Sequence, residues 1–177
     1  MNESKITTRY AKALFKLAQE KNLLDRIKQD LDLIKQAFEL KEFKEFLYSP
    51  IIPEHTKKQI FADLFKGKVH EYTLQFLFIL AENRREQYLN IIIMDYEKLY
   101  RKALNITEVQ LTTAIELDQD LKQQFIDILK KVTDSKIDLH HSVKPEIIGG
   151  FILKIDDRRL DASILTQLNK LRKHISN

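Results

Sequence analysis

The chain has 177 residues, 44% of them hydrophobic and 32% charged, with 30 Lys and Arg against 26 Asp and Glu for a net charge of +4 and no cysteine. No run approaches the ~18 apolar residues of a membrane span, and the amino terminus MNESKITTRYAK lacks the basic-then-apolar order of a secretory leader; the chain reads as soluble, cytoplasmic and used as translated. Without cysteine there is no disulfide, thiol nucleophile or cysteine-based zinc site, and the small positive excess is interspersed with acids, as in KLAQEK and KEFKEF, the pattern of solvated helix faces rather than a phosphate-tracking stripe.

From Ser4 to Leu104 the apolar residues recur at helical spacing, interrupted by Pro50, Pro53 and Gly67. The first helix, about Ile6 to Lys21, carries Tyr10, Ala13, Leu14, Leu17 and Ala18, plus Ala11 and Phe15. At ~100° per residue these cover an apolar arc of about 200°, wider than a surface helix needs. Either another helix covers the surplus or this helix lies centrally in a bundle. A second helix, Leu23 to Leu40, aligns Leu24, Ile27, Leu31, Ile34 and Phe38, and KEFKEF forms a short third. Pro50 and Pro53 mark a turn, with Pro53 in the first turn of a fourth helix that Gly67 ends. The fifth, Glu71 to Asn83, is apolar almost all round and is predicted to be the buried centre. The sixth, Glu86 to Leu104, spaces Tyr88, Ile92, Tyr96, Leu99 and Ala103 along one side.

After Asn105 the period changes to two. The alternation predicts a strand in TEVQLTTAIEL with Val109, Leu111, Thr113, Ile115 and Leu117 on one face. Asp118 or Asp120 then caps a helix with the stripe Leu121, Phe125, Ile128, Leu129 and Val132. Lys136 to Val143 and Gly150 to Ile155 read as further strands, and Ser163 to Ile175 as a last helix with Ile164, Leu165, Leu168, Leu171 and Ile175. The expected fold is α+β: an all-α six-helix bundle over 1–105, then a small α+β domain over 106–177, too small for a large catalytic cleft.

Candidate chemistry is sparse. Gly149 and Gly150 precede a strand and are not followed by a lysine–serine pair, so they read as a turn where chain segments meet closely rather than a phosphate loop. His140 and His141 alternate to opposite faces; only Asp138 and His140 share one, short of the ligands a metal hydrolase needs. His55, His70 and His174 are scattered. Asp156, Asp157 and Asp161 sit beside Arg158 and Arg159 in what reads as a salt-bridged hairpin turn. No catalytic residue, metal or cofactor is expected, and a basic nucleic-acid-binding adaptor is the alternative to a protein-binding one.

RYAKALF (Arg9 to Phe15), LFILAENRR (Leu77 to Arg85) and above all KPEIIGGFILKIDDRRLDASILTQLNKL (Lys144 to Leu171) resemble the delta subunit of bacterial and plastid rotary ATP synthase, whose mitochondrial counterpart is the oligomycin-sensitivity-conferring protein. The resemblance runs from first helix to last. It departs at Lys144, where members often carry an acid, and at Ala162, where they often carry glycine. It implies a non-enzymatic stator, present as one copy per complex at the cytoplasmic face of a bacterial inner membrane, or less readily a plastid thylakoid, without inserting into it. Its implied partners are the alpha subunit's amino-terminal helix, held between the first and fifth helices, the b subunits of the peripheral stalk, and the beta subunit within the complex. On that basis Tyr10, Ala13, Leu14, Leu17, Leu74, Phe78 and Ala81 are expected to face alpha, and Lys170, Arg172 and Lys173 the stalk, while Gly149, Gly150 and Asp161 hold a turn.

Overall fold

The computed structural model describes residues 3–133, 135–155 and 158–175, and the chain falls into two units, Met1–Tyr100 and Arg101–Asn177. In the first unit the helical spacing becomes α1 (Glu3–Glu20), α2 (Leu24–Ala37), α3 (Lys41–Tyr48), α4 (Glu54–Phe65), α5 (Glu71–Glu82) and α6 (Leu89–Ala103), with a 3-10 turn at Glu86–Tyr88 before α6. The helices end on left-handed residues: Asn22 (φ 55) after α1, Gly67 (φ 78) after α4 and Arg84 (φ 54) after α5. Behind Asn22 the Leu23 N–H reaches back to the Ala18 carbonyl at 2.8 Å, which satisfies an acceptor the helix end would leave open. Pro53 sits at the N-cap of α4, just outside the first turn.

The core of this unit draws on every helix, from Ala11, Leu14 and Ala18 of α1 to Ile92, Ile93 and Tyr96 of α6. Edge-on aromatic packing joins the short helices, with Phe46 and Phe61 centroids 5.3 Å apart and Phe38 and Phe43 likewise. Two buried polar groups tie elements that the apolar pattern does not. Asp30 of α2, 2% exposed, accepts the His70 N–H and the Thr73 hydroxyl, both at 2.7 Å, and pairs with Arg26, so the start of α5 is fastened to α2. Lys57 of α4 and Glu86 form a buried ion pair. The prediction that α5 is buried on all sides is corrected. Thr73, Phe76, Leu77, Leu80 and Ala81 are buried, but Ile79 is 45% exposed and Leu74 and Phe78 are half-buried. The bundle surrounds only part of this helix, and its remaining apolar surface faces out.

The second unit contains β1 (Ile106–Thr113), α7 (Gln119–Val132), β2 (Lys136–Val143), a 3-10 turn at Pro145–Ile147, β3 (Phe151–Ile155), β4 (Arg158–Asp161) and α8 (Ile164–Ile175). The strands form one sheet in the order β2-β1-β3-β4. β1 and β2 run parallel with Val109 opposite Leu139, a pairing that needs a crossover, and α7 supplies it. β1 and β3, and β3 and β4, are antiparallel. Asp118, rather than Asp120, caps α7, accepting the Leu121 N–H at 2.8 Å.

Two sequence expectations change here. β1 stops at Thr113, whose hydroxyl donates to the Ile115 carbonyl at 2.6 Å; the chain turns out of the sheet and leaves Ile115 72% exposed. The segment read as a hairpin turn contains a fourth strand, Arg158–Asp161, while Asp156 and Asp157 lie outside the described residues, as do the side chains of Val132, His174 and Ile175. Its alternation is too short to show in sequence. Pairing with β3, Ile152 opposite Asp161, is what makes it a strand.

Candidate docking surfaces

Around α1 the side chains sort into three sectors. Ala11, Leu14 and Ala18 enter the core; Tyr10 and Leu17 are half-buried, with Ala13 exposed, along one edge; Lys5, Arg9, Lys12 and Lys16 are exposed on the outer side. A shallow depression of about 540 Å3 runs along that outer side. The Tyr10 ring meets Phe76 of α5 edge-on at 6.3 Å, so this edge of α1 borders α5, while Phe15 packs on Tyr96 of α6 at 5.9 Å on the other edge.

The same contact fixes which side of α5 looks toward α1. Glu82 pairs with Lys58 of α4, and Phe78 lies within about 40° of Glu82 at ~100° per residue, whereas Phe76 is about 160° away from both Phe78 and Leu74. Leu74 and Phe78 therefore belong to the α4-facing edge. The α1-facing edge continues outward through half-buried Tyr72 and exposed Ile79. Of the residues expected to face alpha, Leu14 (2% exposed) and Ala81 (1%) are core and can only support a groove from beneath. The structure sets Tyr10 against Phe76 instead, and at ~100° per residue Ala13 and Leu17 share Tyr10's edge of α1 while Tyr72 and Ile79 share Phe76's edge of α5. An almost uniformly apolar helix gives no angular signal, which is why the sequence could not choose this face.

In the second unit α8 carries Ile164, Leu168 and Leu171 at intervals of four and three, the spacing of a coiled-coil seam. Ile164, Leu168 and Leu171 are 41%, 49% and 60% exposed, and Leu165 beside them is 37% exposed. Arg172 flanks this seam. Lys170 and Lys173 fall on the opposite side of the helix at ~100° per residue, so the three cations chosen from sequence do not form one surface.

The turn that presents α8 is tightly determined. Gly150 has φ +72, and a Cβ there would stand 2.3 Å from the Ala162 carbonyl oxygen; a Cβ on Gly149 would stand 2.7 Å from Ile164 Cδ1. The glycines thus let the entry to β3 approach the β4–α8 connection, where the Ala162 N–H donates to the Phe151 carbonyl and the Ile164 N–H to that of Gly149, each at 3.0 Å. Ala162 itself has no positive φ, so alanine fits, and Lys144 takes ordinary extended backbone (φ −135, ψ 95). Asp161 accepts the Ser163 hydroxyl at 2.6 Å, the Ser163 N–H at 3.1 Å and Arg159 at 3.1 Å. Those donors, the Ser163 hydroxyl first, pull its carboxyl down to about 2. Ser163 Oγ in turn accepts the Thr166 N–H at 3.2 Å, capping α8.

Nothing among the described residues assembles a reactive centre. Asp138 and His140 pair at 3.3 Å on an exposed face, His141 is turned to Thr113 at 2.7 Å, and no group of three or more acids and histidines converges there.

The family model described as ATP synthase delta (OSCP) subunit matches residues 6–175. An ATP synthase subunit delta of Desulforamulus reducens is 32% identical over 171 residues, covering 96% of this chain and 94% of that relative. The chloroplastic subunit delta of Porphyra purpurea is 36% identical over 174 residues, with 97% and 94% covered. In fold, a chain of the Toxoplasma gondii mitochondrial ATP synthase hexamer superimposes with a TM-score of 0.76 over 97% of each chain at 24% identity. Matched over nearly its whole length, the chain belongs to the ATP synthase delta (OSCP) subunit family, a structural and not a catalytic part of the synthase.

Proposed function

We propose that this chain is the stator subunit that joins the catalytic alpha/beta hexamer of a proton-translocating rotary ATP synthase to its peripheral stalk. Holding the hexamer against the torque of the central rotor lets that torque change the catalytic sites instead of turning the whole head. One kind of observation supports this in both units: apolar side chains at helix-packing spacing stay exposed, on the α1–α5 seam and on α8. Such seams suit helical partners, and burial of apolar surface gives the slow dissociation a stator needs, each 1.4 kcal/mol lowering it about tenfold.

In this reading residues 1–105 hold the amino-terminal helix of one alpha subunit between α1 and α5, through Tyr10, Ala13, Leu17, Tyr72 and Ile79. Residues 106–177 hold the stalk b subunits on the Leu168 and Leu171 seam with Arg172 at its margin. The beta subunit is a partner within the complex, one copy of the chain serves each complex, and no cofactor is required. No helix among the described residues is long and apolar enough to cross a membrane, and the relatives are bacterial and chloroplastic, which supports reading the chain as a peripheral subunit at the cytoplasmic face of a bacterial inner membrane, with the plastid thylakoid second.

Affinity isolation of the tagged chain from its cells tests the assignment: alpha, beta and b subunits should be recovered together, and their absence would overturn it. The groove is tested separately with the cognate alpha amino-terminal peptide. Leu17→Asp should weaken its binding at least about tenfold while the chain stays folded. Leu14→Asp does not serve, because a carboxylate at a 2% exposed core position would unfold the bundle. A nucleic-acid binder would instead bind duplex DNA with a steep salt slope.

A further inference from the structure

The outer side of α1 is more ordered in charge than a solvated face requires. Lys5, Arg9, Lys12 and Lys16 follow one another at four, three and four residues, which at ~100° per residue confines them to an arc of about 60° and a length of about 16 Å. Like charges at these spacings repel along a helix. Several cations elsewhere in the unit are paired, Lys28 with Asp32, Lys35 with Glu97, Lys57 with Glu86 and Lys58 with Glu82, whereas no ion pair of the described residues includes any of these four, and no other helix of the unit aligns four such cations on one face.

The stripe borders the α1–α5 seam on one side only. Ala13, at the lip of the seam, lies about 40° from Arg9. The opposite wall, EYTLQFLFILAE of α5, has no lysine or arginine and has a glutamate at each end. A helix lying in the seam therefore meets four positive charges along its α1 flank, while α5 itself offers only Glu71 and Glu82, the latter paired with Lys58 of α4.

We propose that the seam is selective for an amphipathic helix whose carboxylates lie along one flank, the flank turned to α1, so that charge fixes which way the helix runs and apolar burial holds it. The inference rests on the reading of this seam as the site of the alpha-subunit helix, and it specifies the chemistry that helix must carry. Reversing the bound helix would turn its acids toward an α5 wall that carries no cation of its own and leave the α1 cations unmatched, a discrimination that complementary charge supplies more readily than raw affinity.

The test uses the full chain, the cognate alpha amino-terminal peptide and the same peptide with every Asp and Glu replaced by Asn and Gln. Binding is read by fluorescence anisotropy at about 0.05 and 0.5 M salt, which bracket strong and weak screening. The native peptide should bind about tenfold tighter than its amide counterpart at low salt, and high salt should remove the difference. Changing all four cations to Gln, substitutions at exposed positions that should leave the thermal melt unmoved, should abolish the preference and leave the affinity of the amide peptide as it was. Equal binding of the two peptides, or a preference that survives the four changes, would overturn the charge assignment while the groove stands. Failure of both peptides to bind the folded chain would overturn the groove and the inference with it.

Discussion

The two units bury their apolar residues to very different degrees. In the first, twenty buried side chains join into one cluster, and charged groups such as Asp30, Lys57 and Glu86 are drawn inside with partners. In the second, Val109 and Leu111 of the central strand are fully buried, but Leu121 and Ile128 of α7, Leu160 of β4 and most of the α8 stripe are substantially exposed. A small sheet flanked by amphipathic helices cannot cover every apolar face with its own chain. The first unit encloses a large core of its own and leaves apolar side chains such as Ile51, Ile79 and Met94 outside it, whereas the second buries few apolar side chains and leaves most of its helical stripes open.

The largest effect that would separate them lies inside the first unit. Glu86→Ala should destabilise it by about 3–5 kcal/mol, because the Lys57 ammonium would be left buried without its counter-charge. Urea unfolding followed by proteolysis should show this unit, not the second, opening first. Replacing Glu86 and Lys57 together by Met and Leu should recover most of the loss.

Next is the turn that holds the second unit together. Gly150→Val imposes a β-branched side chain on a left-handed backbone with a carbonyl 2.3 Å from its Cβ, and should cost at least about 2 kcal/mol. If strain there is decisive, amide exchange should accelerate across β3, β4 and the start of α8 and stay unchanged in α2 and α5.

A smaller effect concerns acid. The Asp161 carboxyl is held below its ordinary value of ~3.9, so its contribution to stability is complete above about pH 4 and is lost as pH falls toward about 2. Asp161→Asn should flatten the stability of the second unit over that window, read by the near-ultraviolet signal of its aromatic residues. A wild-type unit insensitive to pH there would remove the Asp161–Ser163 link from the account.

The smallest effect on stability should accompany the largest on assembly. Leu168→Asp with Leu171→Asp, both at exposed positions, should shift unfolding by less than about 0.5 kcal/mol each, within the range of ordinary surface changes. Recovery of b subunits with the chain should nonetheless fall to background. If the double variant unfolds instead, the seam is part of the unit's own core and the contrast between the two units fails.

Much of the architecture was legible because it depends on local periodicity. The six helices, the change to period two after Asn105, a cap at Asp118 or Asp120 and the stop at Gly67 all follow from residues within a turn or two of one another. The candidate surfaces were less so. Leu14 and Ala81 have the same apolar character as Leu17 and Ile79, and only the packing of neighbouring helices puts the first pair inside and leaves the second pair partly open. The basic residues of α8 looked like a patch in sequence order, yet angle divides Arg172 from Lys170 and Lys173.

By itself the sequence determined the helical segments, three of the four strands, the family and the absence of thiol chemistry, because hydrophobic period, turn residues and motif order are written along the chain. The tertiary structure alone decided the parallel pairing of β1 with β2, the fourth strand, the fastening of α5 to Asp30 and the face that α5 turns toward α1. Each of these joins residues far apart in sequence, and local periodicity carries no information about which distant surface a segment will meet.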